Sequence, residues 1–462
     1  MRKALFIIFT LCNILPVYAQ RHLISGKVYL AGNIPLPGAT VVVKGTENGT
    51  SSGTDGRYSL LVNHEEAVVV TVQYTGLPTI EKLVRPGQQN NIVIKERKSS
   101  SSLATLQPAQ QQATAMEAAA TGELLAYGWN DVKEWDWWYF LQSKKTWGIY
   151  QEYWKIYPQD RIQINLHNEQ NESLPDVAVE LYSVDGLLLW SGRTNRDGAV
   201  QLWPHIFNDN KARKYVVRVM PEGQEPLLFG KIKYDNADIF INVPGAEPAL
   251  AKNDVVFIMN MGGLQLNEAN ALKQMVPQLL ARAEKDELDL KAGFSVAQGD
   301  AGTKDSFRQF SLAEDYSHGL NWFTQTAEVQ PEADKNWLPA ALENALLHPW
   351  SEDNSQRTAF IFADNAPDCK TYNIAFLQDM ISKFAAKGIK LVPVMPNNTG
   401  PEAEILFRMM AIATNGSVIF YERVPWSKPG PNSSTKGKPA LAGLENAFFN
   451  LLLTTPMASA RR

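Results

Sequence analysis

Between Asp254 and Leu264 the chain reads Val255-Val256-Phe257-Ile258-Met259-Asn260-Met261 before it breaks at Gly262-Gly263 and enters a helical pattern. The run is too short to cross a membrane and too continuously apolar to keep one face in water, which predicts a buried central strand. Ala269, Leu272, Val276, Leu279, Leu280 and Ala283 then recur at helical spacing, with Asn267 as the expected N-cap. The same form returns at Thr358-Ala359-Phe360-Ile361-Phe362-Ala363-Asp364. Further strands are expected at 291–297, 308–312, 389–394 and 417–421, with helices at 316–326, 338–347, 373–387 and 402–414. Strands alternating with helices imply a mostly parallel sheet covered on both faces, an α/β doubly wound domain over 250–423.

Upstream the period changes. Residues 20–97 hold short β-rich runs punctuated by Gly, Pro and Asn, with Asn48-Gly49 and Asp55-Gly56 as hairpin signals, which predicts an all-β sandwich. Residues 158–246 repeat that layout. Leu174-Pro175-Asp176-Val177-Ala178-Val179 answers Leu36-Pro37-Gly38-Ala39-Thr40-Val41, and Asn195-Arg196-Asp197-Gly198 answers the segment at Asp55-Gly56. A second all-β sandwich of similar topology follows, read as a spacer. The chain is thus multidomain, two sandwich modules followed by the α/β domain. Residues 98–121, rich in Ser, Gln, Ala and Thr, read as a flexible linker. Residues 122–157 carry six of the 12 tryptophans, with Trp135, Trp138 and Leu141 and then Trp147, Tyr150 and Trp154 at helical spacings, and read as a Trp-rich helical segment. Residues 424–462 read as a Pro, Gly and Ser rich loop followed by an amphipathic helix that docks back on the sheet.

Composition adds the compartment. Arg2-Lys3, the apolar Ala4 to Phe9 and then Val17-Tyr18-Ala19 make residues 1–19 a secretory signal peptide, with the mature chain starting at Gln20. Export leads to periplasm, outer-membrane surface or medium. Cys12 lies in the signal, so Cys369 is the one mature cysteine and no intramolecular disulfide is expected. A net charge of −4 offers no basic footprint for nucleic acid. No transmembrane segment is expected in the mature chain.

The segment from Lys252 to Tyr421 resembles the von Willebrand factor type A domain. The resemblance implies a metal-ion-dependent adhesion site, with Asp-x-Ser-x-Ser after the first strand and an Asp after the fourth. Here those positions carry Asn260, Gly262, Leu264 and Asp364, so only the last ligand survives. Leu36-Pro37-Gly38-Ala39-Thr40-Val41 with Thr54-Asp55-Gly56-Arg57-Tyr58 is similar to the carboxypeptidase regulatory-like domain. That module is frequent at the N-termini of exported proteins of Bacteroidetes-type bacteria and has no peptidase site.

Ligands of open α/β sheets sit beyond the carboxyl ends of the strands, which makes Asn260, Met261, Gly262, Gly263, Asp364 and Asn365 the expected binding rim. Magnesium wants several hard oxygen donors, and one carboxylate among neutral neighbours does not supply them, so no metal or other cofactor is expected. A rebuilt Mg²⁺ site would have to draw Asp300, Asp334 or Asp368 towards Asp364. Trp135, Trp137 and Trp138 are packing aromatics by their spacing, with a glycan platform as their alternative use. There is no Gly-x-Ser-x-Gly elbow, no His-Glu-x-x-His helix and no phosphate-binding glycine loop, and the six histidines are scattered. The expectation is an exported, non-enzymatic envelope protein that binds protein partners or serves as a scaffold. Its rivals are a carbohydrate-binding envelope protein and an enzyme with an unrecognised acidic site.

Overall fold

The computed structural model describes residues 22–30, 34–36, 38–46, 48–53, 55–62, 66–74, 79–94, 124–142, 144–207, 214–233, 238–248, 252–261, 264–297, 307–326, 337–363, 365–366, 374–423 and 442–453. The expected signal peptide (1–19) and linker (98–121) lie outside them. The chain divides into two compact units, Met1–Ser99 and Ser100–Arg462.

Among the described residues of the first unit, eight strands form two sheets: β1 (His22–Leu30), β2 (Ile34–Pro35), β3 (Thr40–Val43), β4 (Gly49–Ser51), β5 (Arg57–Val62), β6 (Val68–Gln73), β7 (Ile80–Val84) and β8 (Ile92–Ile94). β1 pairs with β2, β5 and β8, and the second sheet runs β4-β3-β6-β7. Alternate residues such as Val41, Tyr58, Leu60, Val70 and Val72 meet in one buried core, as two-sheet packing requires. Gly56 takes its expected positive φ at the Asp55-Gly56 turn. Asn48-Gly49 does not make the other turn. The bend between β3 and β4 places the positive φ at Gly45, and Gly49 is already in strand β4.

The second unit begins with β9 (Leu125–Trp129), α1 (Trp135–Gln142) and α2 (Lys145–Trp154). Seven strands follow: β10 (Ile162–His167), β11 (Ala178–Ser183), β12 (Leu188–Arg193), β13 (Ala199–Leu202), β14 (Lys214–Met220), β15 (Leu227–Lys233) and β16 (Ile239–Asn242). β10 pairs antiparallel with β13 and parallel with β16, as β1 does with β5 and β8, and β12-β11-β14-β15 copies β4-β3-β6-β7. The repeat reaches single hydrogen bonds. Ser52 Oγ donates to Leu36 C=O and accepts from Ala39 N–H, while Thr194 Oγ1 donates to Leu174 C=O and accepts from Val177 N–H. Gly38 and its counterpart Asp176 both sit in the left-handed region, at φ 75° and 57°.

The remaining elements are β17 (Lys252–Asn260), α3 (Leu266–Lys285), β18 (Leu290–Ala297), β19 (Phe307–Ala313), α4 (Ser317–Thr326), α5 (Trp337–Leu346), β20 (Ser355–Phe362), α6 (Ile374–Ala386), β21 (Ile389–Pro396), α7 (Pro401–Ala413), β22 (Val418–Tyr421), β23 (Ala442–Gly443) and α8 (Leu444–Leu453). They build one eight-stranded sheet in the order β19-β18-β17-β20-β21-β22-β9-β23, parallel from β18 to β22 and antiparallel at both margins. The strands are buried on both faces. Val255, Phe257 and Met259 join α3 and α8 in one core, whereas Val256 and Ile258 join α5, α6 and α7 in another. Phe294, Phe257 and Phe360 stack across three neighbouring strands at 5.5 and 5.8 Å. Such contacts each add about 0.5–1.5 kcal/mol beyond burial.

Two elements differ from the sequence reading. Leu125–Trp129, expected to be helical, is a strand of the large sheet, because edge strand β22 offers unpaired backbone groups that β9 satisfies. The N-cap of α3 is Gln265, two residues before Asn267, since Glu268 accepts the Gln265 N–H at 2.8 Å in a reciprocal capping box.

The second sandwich, the Trp-rich segment and the large sheet form one unit. Asp176 joins the sandwich to the sheet: Arg357 of β20 donates from Nη1 to Oδ1 at 2.7 Å and from Nη2 to Oδ2 at 3.0 Å, and Arg193 donates to Oδ1 at 2.7 Å. All three groups leave most of their solvent behind, so removing one partner leaves an uncompensated buried charge. Replacing Asp176 with glycine, the residue the first module carries there, keeps the left-handed backbone relaxed and removes the ion pair together with the bond that Asp176 Oδ2 accepts from Ser355 N–H at 3.1 Å. Urea denaturation of Asp176→Gly is expected to show about 3–5 kcal/mol of lost stability. A loss below about 1 kcal/mol would show that the pair contributes little.

Candidate functional site

β17, β20, β21 and β22 are neighbours and parallel, so Asn260, Phe362, Pro396 and Tyr421 end on one edge of the sheet. Asn397 N–H donates to Tyr421 C=O at 2.8 Å, Thr399 Oγ1 donates to Pro396 C=O at 2.8 Å, and Arg423 N–H donates to Asn397 Oδ1 at 3.1 Å. The side chains reaching solvent here are largely amides. Gln265, Asn267 and Asn398 are exposed, Asn365 and Asn397 are half-exposed, and Leu266 stands among them with 69% of its surface in water.

Of the expected rim, Gly262, Gly263 and Asp364 lie outside the described residues, as do Asp300, Asp334, Asp368 and Cys369. Asn260 and Met261 require correction as contact residues. Met261 is fully buried and Asn260 is 6% exposed. Met261 packs into the core that holds α3, because the apolar run continues past the strand end. Asn365 remains accessible.

Leu264, at the third position of the adhesion-site pattern, is buried in the same core and brings hydrocarbon where a hydroxyl would be needed. A carboxylate buried at this edge, which sequence reasoning passed over, is Glu268. It is 1% exposed, caps α3 and binds Arg423 through both oxygens, with Nη2 at 2.6 Å from Oε2. Its spacing from Gln265 was the available signal. Among the described residues no group of three or more His, Cys, Asp or Glu is placed to hold a metal ion.

The Trp-rich segment divides by depth. Trp138 and Trp154 are fully buried, Trp138 meets the Trp147 ring edge-on at 5.2 Å, and Trp154 Nε1 donates to Glu402 C=O at 3.2 Å. Beside them, Arg408 is held by Asp131 and by Glu404 at 3.0 Å, which fastens the segment to α7. Half-buried Trp135 packs on Trp203 at 5.6 Å under Arg161. Trp137 stacks on the more exposed Phe140 at 4.9 Å, and Lys144 covers that ring at 4.2 Å. Trp138 is therefore inaccessible to a glycan.

One arrangement has the outline of a nucleophile and its base. Ser295 Oγ lies 2.9 Å from His348 Nε2, both residues being buried. The wiring runs the wrong way for catalysis: Leu312 N–H donates to Nδ1 at 3.1 Å, which places the imidazole proton on Nε2. Nε2–H donates to Ser295, whose own hydroxyl proton goes to Asn344 Oδ1 at 2.8 Å. His348 thus takes no proton from Ser295.

Residues 24–106 match the family model of the CarboxypepD_reg-like domain, and the N-terminal module is a domain of that kind. A search of curated proteins finds no match to this chain. Among solved structures, similarity is found to the Bacillus anthracis TIE protein, at 11% identity and TM-score 0.15, over 52% of this chain and 36% of that one. The chain thus spans about a third of that protein. It is also found to BatB, a conserved hypothetical protein from Bacteroides thetaiotaomicron, at 15% identity and TM-score 0.27, over 38% and 90%. An aerotolerance-related membrane protein from Bacteroides fragilis stands at 14% and 0.27, over 40% and 94%. Resemblance this low transfers no property to the chain.

Burial pushes the His348 imidazole down to about 4. The unfolded chain, with an ordinary histidine near 6.5, then binds this proton first, so the contribution is complete above about pH 6.5 and is lost as pH falls towards 4. The loss approaches roughly 3 kcal/mol. Urea denaturation across this range is expected to fall more steeply for the native chain than for His348→Gln, and parallel profiles would contradict the assignment.

Proposed function

We propose that the C-terminal α/β part of this chain is a von Willebrand factor A-like domain. We read it as the protein-binding or scaffold element of a non-enzymatic, exported component of a bacterial envelope, working without a metal. The observation that carries this reading is the state of Glu268, a carboxylate at the strand-end rim engaged twice, by the α3 cap and by Arg423. It has no oxygen to offer a cation that must also satisfy near-octahedral geometry. The accessible rim is amide-rich and centred on exposed Leu266. Such a surface favours a partner through shape, hydrogen bonds and a small apolar anchor, and disfavours a metal bridge to an acidic ligand. The parallel strand core with helices on both faces, the CarboxypepD_reg-like module and the signal-like residues 1–19 support the same reading. Among the described residues no helix is long and apolar enough to cross a membrane.

Two measurements test the reading. Calorimetric titration of Mg²⁺, Mn²⁺ and Ca²⁺ into the full chain is expected to give no saturable heat, and saturable binding abolished by Asp364→Ala would overturn the metal-free mechanism. A photo-crosslinking residue placed at Asn398 in the native envelope is expected to trap a protein partner. The Leu266→Asp exchange, at an exposed site, should reduce that product at least about tenfold, the effect of losing some 1.4 kcal/mol. An undiminished product would place the contacts elsewhere.

A further inference from the structure

At the turn between β11 and β12 the second sandwich exposes three large aliphatic side chains, Val184, Leu187 and Leu188, with 58, 63 and 48% of their surface in water. The turn itself is closed. Ser183 N–H donates to Leu187 C=O at 2.8 Å, Gly186 N–H donates to Ser183 C=O at 3.0 Å, Leu187 N–H donates to Ser183 Oγ at 3.1 Å, and Gly186 takes φ 85°. The sandwich fold does not require hydrocarbon at this place: the matching turn of the first module, between β3 and β4, exposes Lys44, Gly45 and Thr46. We propose that the β11–β12 turn is an apolar anchor that inserts into a groove of the protein partner bound at the carboxyl edge. The proposal rests on the protein-binding reading of that edge and adds the second sandwich to it as a contact element.

The packing of β12 sets where the turn lies. β12 runs along α6, with Gly192 facing Ala385 and the Arg193 side chain against Gly388, so its last residues meet the end of α6 at the amino edge, where β21 begins. The six residues of β12 and the thirteen of α6 each span about 20 Å. Leu188, the first residue of β12, is thereby carried back towards the start of α6, which follows β20 at the carboxyl edge. The turn thus faces the same end of the unit as Leu266 and Asn398.

Charge selects the occupant. Asp185 is exposed at the apex between the aliphatic side chains, and a carboxylate there opposes entry into a bilayer. A protein groove with a cationic or N–H group at its mouth satisfies both the carboxylate and the hydrocarbon. Because the backbone beneath them is fixed, the three side chains lose little freedom on binding.

The test places a photo-crosslinking residue at Leu187 and, separately, at Asn398 of the full chain in its native envelope, and identifies each trapped protein by mass spectrometry. The same protein is expected from both positions. Val184→Ser combined with Leu187→Ser should reduce the Asn398 product at least about tenfold, as loss of a buried apolar anchor does. Asp185→Lys should reduce it as well without removing apolar area. Leu228→Ser, at a 69% exposed site on β15 at the far margin of the same sheet, should leave it unchanged. All variants are exposed-site changes and are compared at native melting temperature. An Asn398 product undiminished by the turn variants, or different proteins trapped at the two positions, overturns the anchor and leaves the rim reading standing, whereas no Asn398 product at all overturns both. The anchor is also overturned by an equal loss with Leu228→Ser, by flotation of the purified chain with phosphatidylethanolamine and phosphatidylglycerol vesicles that the turn variants abolish, or by self-association that they abolish.

Discussion

The second unit depends on one buried ion pair, Asp176 with Arg357. Its origin lies in the repeat. The two sandwich modules share strand order, a hydroxyl-mediated turn and a left-handed residue at the same place, glycine in the first and aspartate in the second. An L-residue tolerates that backbone at some cost, and Asp is among those that bear it best. The carboxylate projecting from the turn reaches the start of a central strand and converts a free-standing module into a layer of a larger unit. Calling that module a spacer, which its sequence suggested, understates it.

The same joining recurs nearby. Arg408, buried on α7, is balanced by Asp131 and Glu404 beneath the rings of Trp138 and Trp147. Strand β9 then supplies the backbone partners that β22 lacks, β23 extends that margin, and α8 lies over the sheet, where Phe448 meets Phe360 and Phe362 of central β20. The aromatic density of 122–157 is thus explained by packing and by burying a charged network. Low local dielectric makes such a network costly to break and selective for one arrangement.

The two edges of the large sheet contrast chemically. At the carboxyl edge the buried Glu268 carboxylate is neutralised by Arg423 and exposed amides face the solvent. At the amino edge the docking of the second sandwich brings Arg196 and Asp197 beside Lys390. Site chemistry at both edges follows from which groups the packing has already satisfied, more than from which residue types are present.

Periodicity determined the element types of the α/β part and the buried character of the strand 255–259, because those follow from side-chain spacing against one or two apolar faces, while matching turn motifs gave the internal repeat of the sandwiches. The resemblance carried by residues 36–41 and 54–58 identified the first module, which the family model matches over 24–106. Tertiary structure alone decided the fate of individual groups. Met261 at a strand end turned inward, Glu268 was consumed by a cap and by Arg423, β9 became a strand, and Asp176 found Arg357 across 181 positions of sequence. The reason is physical: a hydrophobic pattern reports how much of a residue must leave water, whereas the partner of a polar group is set by what the folded chain brings within 3 Å or so of it, which local sequence does not encode.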